Sequence, residues 1–293
     1  MLFLLLFLVG VSFCSSRSLG VSEENNKDYN ESPDFSFDEE RSATKEAAAW
    51  TDEWHPDPEQ NIWELSGLFE GDIIEDDENS PSRNGLLNIS SRWPGGVVPF
   101  EISSKYDNTE RDVIFGAMNE IENRTCISFR PRTTMDADYL MIRENKPGCS
   151  SFVGRKGNGQ LLNLSRPRCI RHGPIVHELL HTLGLHHQHS ATDRDQHIQI
   201  NWQNIQLNHK RDFKKFNSSQ TSSYGVPYDY SSIMHYSKYA FSRNGNPTIT
   251  PLIRGVQIGQ RRHLSEGDAT KINLMYDCDT STEDGAYDLN KIK

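Results

Sequence analysis

His177-Glu178-Leu179-Leu180-His181-Thr182-Leu183-Gly184-Leu185-His186-His187 is the stretch on which the reading of this chain turns. Residues four apart on a helix share a face, so His177 and His181 aim two imidazoles at one point. Pro174 near the start and Gly184 just past the end delimit a helix over 174–183. Glu178, one position on, sets its carboxylate beside that point rather than on it. A glycine at 184 can adopt a positive φ, stop the helix and turn the chain sharply. The turn brings His187 back toward the pair.

Three neutral imidazoles leave a fourth position open, which is the pattern of a catalytic rather than a closed structural zinc site. One Zn2+ per chain is expected. The chemistry such an ion supplies is a water of low pKa and a polarised carbonyl. Glu178 is then the base that takes the water's proton and passes it to a leaving amine. The spacing through His187 is that of the metzincins, which also place a methionine turn beneath the metal. Ser232-Ile233-Met234-His235-Tyr236 supplies one. Met234 reads as an apolar floor under the histidines. Tyr236 can reach the metal or hydrogen-bond a developing oxyanion. His186 reads as a surface or supporting residue and His189 as exposed.

Outward from this centre, the 293 residues divide by charge. Between Arg17 and Arg83 there are 20 acidic and 5 basic residues, whereas from Asn84 onward there are 21 acidic and 26 basic. An acidic leader ahead of a mildly basic body points to an N-terminal piece outside the main fold. The absence of a basic block argues against a nucleic-acid partner. Residues 1–16 are apolar, too short to span a bilayer comfortably, and end in small residues, as a secretory signal does. Beyond them no stretch is apolar enough for a membrane span. Of five cysteines, Cys14 falls at the signal, leaving Cys126, Cys149, Cys169 and Cys278. An even number in an oxidising compartment implies two disulfides, with three pairings open. Sequons at Asn30, Asn88, Asn123, Asn163 and Asn217 suit an exported glycoprotein.

Residues 17–57 lack the apolar content for a core, and order is expected to begin near 62–69. The run 80–83 is an exposed linker and a cleavage point. Periodicity predicts strands over 97–102, 126–129 and 139–142, a helix over 111–121, and short helical pieces near 202–213 and 268–276.

Together these residues resemble the astacin family of zinc metalloendopeptidases over 69–278. The likeness is carried by Arg92-Trp93-Pro94-Gly95-Gly96-Val97-Val98-Pro99-Phe100, by the cysteine loop 148–155, by the zinc motif and methionine turn, and by the closing segment 272–278. It implies an α+β metzincin fold of two subdomains: a twisted sheet with the active-site helix above the cleft, and an irregular lower subdomain. It implies disulfides Cys126–Cys278 and Cys149–Cys169, and Tyr236 as a zinc ligand in the resting enzyme that swings away during catalysis. Phe69-Glu70-Gly71-Asp72 is similar to the family's inhibitory motif, in which the aspartate, here Asp72, binds zinc in the zymogen. The implied layout is a signal at 1–16, an inhibitory propeptide at 17–83 removed by a trypsin-like protease, a catalytic domain at 84–278 and a polar tail at 279–293.

The resemblance further implies that 139–143 is the edge strand that pairs with protein or peptide substrates, and that Arg261 lines the pocket for the residue after the cut. A secreted monomer is expected. One position departs from the family pattern. The glutamate usual after the third histidine, where it helps hold the new N-terminus, is Gln188 here. An amide cannot form that ion pair, so the position of the N-terminus is expected to matter less. A catalytically silent scaffold would not need Glu178, and a structural zinc protein would supply a fourth protein ligand.

Overall fold

The computed structural model of the chain describes residues 66–75, 88–219 and 221–278. The apolar leader, most of the acidic stretch, the expected cleavage point at Arg83 and the polar tail lie outside these residues.

Trp93 opens the ordered body, and strand β1 (Val97–Ile102) follows. Helix α1 (Asn108–Glu122) starts at Asp107, whose Oδ1 accepts the Glu110 N–H while its own N–H reaches the Glu110 carboxylate. That reciprocal cap satisfies two orphan donors and begins the helix ahead of its apolar stripe. The stripe buries Ile114, Ala117, Met118 and Ile121. Strands β2 (Ser128–Pro131), β3 (Tyr139–Arg143), β4 (Cys149–Ser151) and β5 (Gly159–Leu164) come next, then helix α2 (His172–Leu183). The second half is mostly irregular, with two short strands, β6 (Ile198–Ile200) and β7 (Ile249–Pro251), before helix α3 (Glu266–Met275). The helical pieces expected near 202–213 are 3-10 turns, Trp202–Asn204 and Leu207–Phe213.

The main sheet runs β2-β1-β3-β5-β4, parallel except for β4 against β5. This order corrects one expectation. β3 is hydrogen-bonded on both sides, to β1 and to β5, and is not an edge. The edge beside residues 72–74 is β4. Alternation along Tyr139–Arg143 shows that two faces differ, but a strand's neighbours are set by topology.

β4 and β5 escape a periodicity reading because they are short or irregular. In β5, Leu162, Asn163 and Leu164 are all fully buried in succession. Asn163 satisfies its amide by donating to the Lys146 and Gly148 carbonyls and accepting from the Lys146 N–H. A sequon asparagine used in this way is closed to a glycan in the folded chain, whereas Asn88, Asn123 and Asn217 are exposed.

Two hydrophobic clusters result. One lies between the sheet and the three helices, with Val98, Ile142, Ile114, Leu179 and Ile272 at its centre. The other fills the lower half around Phe213, Tyr236, Phe241 and Ile249. Cys126 is bonded to Cys278 and Cys149 to Cys169. The first bond closes 152 residues and ties the end of α3 to the start of β2; the loop-entropy model gives each on the order of 3–5 kcal/mol. Among the described residues no helix is long and apolar enough to cross a membrane.

Candidate active site and metal centre

Helix α2 is held so firmly that it acts as a fixed frame. Gly173 to Leu183 are all buried. At its C-terminal end the four carbonyls that a helix leaves unpaired all find partners. Leu180 accepts from the Leu185 N–H and His181 from the Gly154 N–H. Thr182 accepts from the Trp93 indole at 2.9 Å, and Leu183 from the Tyr276 hydroxyl at 2.9 Å. Gly184 takes φ 110, the left-handed turn expected of it.

Each imidazole is oriented through its Nδ1. His177 Nδ1 lies 2.9 Å from the Ile233 carbonyl, and His181 Nδ1 lies 2.7 Å from the Leu185 carbonyl. A carbonyl only accepts, so both Nδ1 atoms carry the proton. His187 Nδ1 meets the Glu70 carboxylate at 2.7 Å. The three Nε2 atoms therefore converge. His177 Nε2 and His187 Nε2 are 3.2 Å apart. Tetrahedral zinc with Zn–N near 2.0–2.1 Å would set two such nitrogens roughly 3.3 Å apart.

A carboxylate completes the set. Asp72 lies 3.1 Å from His177 Nε2 and 3.4 Å from both His181 Nε2 and His187 Nε2. One donor atom from each of the four residues falls within 4.8 Å of the others, all buried. Three imidazole nitrogens and a carboxylate converging in this way could hold a cation, and N/O donors in this number suit zinc. Burial alone would lower the His187 pKa, but Asp72 and Glu70 outweigh it and lift it to about 10. Burial would raise Asp72; His187 and His181 outweigh it and hold the carboxyl well below its usual range. For His177 burial outweighs the opposing pull of Asp72 and pushes the pKa down to about 4.

Glu178 is buried beside the cluster, and neither carboxylate oxygen has a hydrogen-bond partner among the described residues. Burial, then the charge of Asp72, pushes its pKa well above the ordinary value. Met234 is buried in the same core as α2, and its carbonyl accepts the Gln188 N–H at 2.9 Å. The Tyr236 hydroxyl donates to the Glu70 carbonyl.

A model of the peptidase family described as Astacin matches residues 86–277. The chain belongs to the astacin family. It is 41% identical over 220 residues to zinc metalloproteinase nas-14 of Caenorhabditis elegans, covering 73% of this chain and 44% of that one. It is 40% identical to the low choriolytic enzyme of Oryzias latipes, covering 73% and 79%. Against the solved structure of high choriolytic enzyme 1, a hatching enzyme zinc-protease from Oryzias latipes, it shows 38% identity and a TM-score of 0.60, covering 71% of this chain and all of that one. The chain spans about half the length of several curated relatives that it matches.

Several features of this astacin-family site are invisible in its local motifs. His189, expected to be exposed, is fully buried and stacks on Tyr236 with ring centroids 3.7 Å apart. A histidine can be buried where an aromatic covers one face and a carbonyl, here that of Asp212 at 2.9 Å, takes its N–H. His186 stands outside the donor cluster against Phe216. Arg261 is half-buried, and its carbonyl presses on the start of α2, where any Cβ at Gly173 would meet it at 2.0 Å.

Asp268 of α3 carries the methionine turn by accepting from the Ser232 hydroxyl at 2.6 Å and the Ile233 N–H at 2.9 Å. Its sequence signal is Ser265-x-x-Asp268, a helix cap that here serves two ends. Glu70 carries no sequence signal beyond its place in the leader motif.

Proposed function

We propose that the chain is a zinc endopeptidase made as a latent precursor, exported, and released by a trypsin-like cut after Arg83. The observation that carries this reading is the Asp72 carboxylate lying 3.1–3.4 Å from three convergent imidazole nitrogens. A carboxylate there blocks the position that a hydrolytic water needs.

His177, His181 and His187 hold the ion. When bound, zinc supplies a water of low pKa and polarises the scissile carbonyl. Departure of the pro-segment removes the charge of Asp72 from beside Glu178, which then takes the water's proton and delivers it to the leaving amine. Tyr236, released from the Glu70 carbonyl, is available to donate to the oxygen on which charge develops.

The substrate strand adds to β4. The pro-segment already uses this edge: Ser151 N–H donates to the Asp72 carbonyl at 3.0 Å, and Ile74 N–H donates to the Ser151 carbonyl at 2.9 Å. A protein or peptide in extended form makes the same bonds. Arg261 favours an acidic residue after the cut. The apolar run at 1–16 and two disulfides support export as a monomer to an oxidising space.

The test is casein hydrolysis by the full chain before and after limited trypsin treatment, alongside Asp72→Ala. Activity is expected after the cut, and in uncut Asp72→Ala, and is lost to a chelator. A cut chain that binds zinc but leaves casein intact would refute the reading.

A further inference from the structure

Glu70 touches three parts of the site at once. Its Oε2 lies 2.7 Å from His187 Nδ1, and its Oε1 accepts the Ser190 hydroxyl at 2.7 Å. Its backbone carbonyl takes the Tyr236 hydroxyl. The side chain is 1% exposed. Two residues on, Asp72 lies 3.4 Å from the opposite nitrogen of the same ring, His187 Nε2. Gly71 between them, at φ 92, lets the chain bend so that two neighbouring carboxylates grip one imidazole from both sides.

The backbone conformation of Glu70 points the same way. It stands at φ 48, in the left-handed region that side chains other than glycine and asparagine seldom occupy. Such a residue persists where its surroundings hold it, and such positions gather at ligand clamps and switches. Leu68 and Gly71 close a tight turn around it, the Gly71 N–H donating to the Leu68 carbonyl at 2.9 Å.

A histidine that donates its far N–H to a carboxylate is fixed in tautomer and ring orientation and becomes a more basic metal ligand. His177 and His181 receive weaker support from backbone carbonyls that stay with the enzyme. Among the described residues, His187 is the one of the three whose Nδ1 meets a residue of the leader, Glu70. We propose that Glu70 is a positioning residue that makes the precursor hold zinc more tightly than the processed enzyme. Release of the leader thus removes Asp72 from the site and loosens His187 in a single event. The proposal rests on reading 66–75 as an inhibitory segment.

The experiment loads uncut full chain with zinc and follows its loss to a chromogenic chelator, for wild type, Glu70→Ala and Glu70→Gln, each before and after trypsin removes the leader. Uncut Glu70→Ala is expected to lose zinc about 10- to 100-fold faster than uncut wild type. Glu70→Gln keeps an acceptor for Nδ1 and is expected to fall between them. After removal of the leader all three should lose zinc at one rate. Equal rates for uncut wild type and Glu70→Ala would overturn the proposal. So would a difference that survives leader removal, since that would report damage to the body of the fold, or a Glu70→Gln chain no better than Glu70→Ala. The underlying reading is judged separately by uncut Asp72→Ala, whose casein hydrolysis does not depend on the zinc-loss comparison.

Discussion

The ammonium of Lys271 on α3 donates to Oε1 of Gln188, 3.0 Å away, directly after the third imidazole ligand. Burial lowers the Lys271 pKa against the pull of Asp268 and Asp229. In this chain the amide at 188 is thus already used by an internal cation. A second ammonium brought to the same oxygen would meet like charge. Processed forms beginning at Asn84 and a few residues earlier are expected to differ in kcat/KM by less than about twofold, the range of a neutral surface change. A loss of two orders of magnitude on extension would show that the terminus does enter the site. Lys271→Met should cost about 1–3 kcal/mol in urea unfolding, because it strands a buried acceptor.

Glu178 has no hydrogen-bond partner for either oxygen among the described residues, and Asp72 lies in its field. Such a group destabilises the fold that carries it. Glu178→Ala in the uncut chain should therefore raise the thermal midpoint while lowering hydrolysis by the cut chain about 10²- to 10⁴-fold. Zinc content, read by atomic absorption, should not change. A lower midpoint would mean that the carboxylate is better satisfied than its contacts indicate.

Asp268 supports the methionine turn from a helix that contributes no metal ligand. Asp268→Ala removes two bonds to a buried charge and half of a helix cap, so a loss of roughly 3 kcal/mol is expected. The displaced Ile233 carbonyl should also misalign His177, giving weaker zinc retention. Retention equal to wild type would separate the turn from the metal site.

Burial pushes His235 down to about 4, with its Nε2 accepting from the Tyr228 hydroxyl at 2.8 Å. An unfolded histidine titrates near 6.5. Above that pH both states are neutral and the contribution to stability is complete. Below it the unfolded chain takes up a proton that the native chain refuses, so stability falls with falling pH. The loss ends near pH 4 and totals about 3 kcal/mol at 1.36 kcal/mol per unit. Urea midpoints of the uncut chain between pH 7 and 4.5 will show a slope to which the other buried histidines also contribute, and His235→Gln should make it shallower. An unchanged slope in that variant would assign the effect to other groups.

The centre of this protein was legible in its sequence because its geometry is local. Four-residue spacing sets the directions of His177 and His181, and a glycine at 184 sets the turn. The apolar periodicity of 111–121 likewise names most of the buried face of α1. Expectations failed where neighbours come from elsewhere in the chain. The family likeness implies an edge strand at 139–143, yet β1 and β5 cover both sides. His189 is polar and follows a loop, yet the Tyr236 ring covers it.

By itself, then, the sequence set the shared direction of His177 and His181, the turn at Gly184 and the buried stripe of α1, because spacing along the chain converts directly into direction over one or two helical turns. Only the tertiary structure decided that β4 is the edge beside residues 72–74, that Lys271 answers Gln188, and that Glu70 and Asp72 hold opposite nitrogens of His187. Each depends on segments some 80 to 120 residues apart meeting in one place, and no local pattern encodes which buried partner a charge will find.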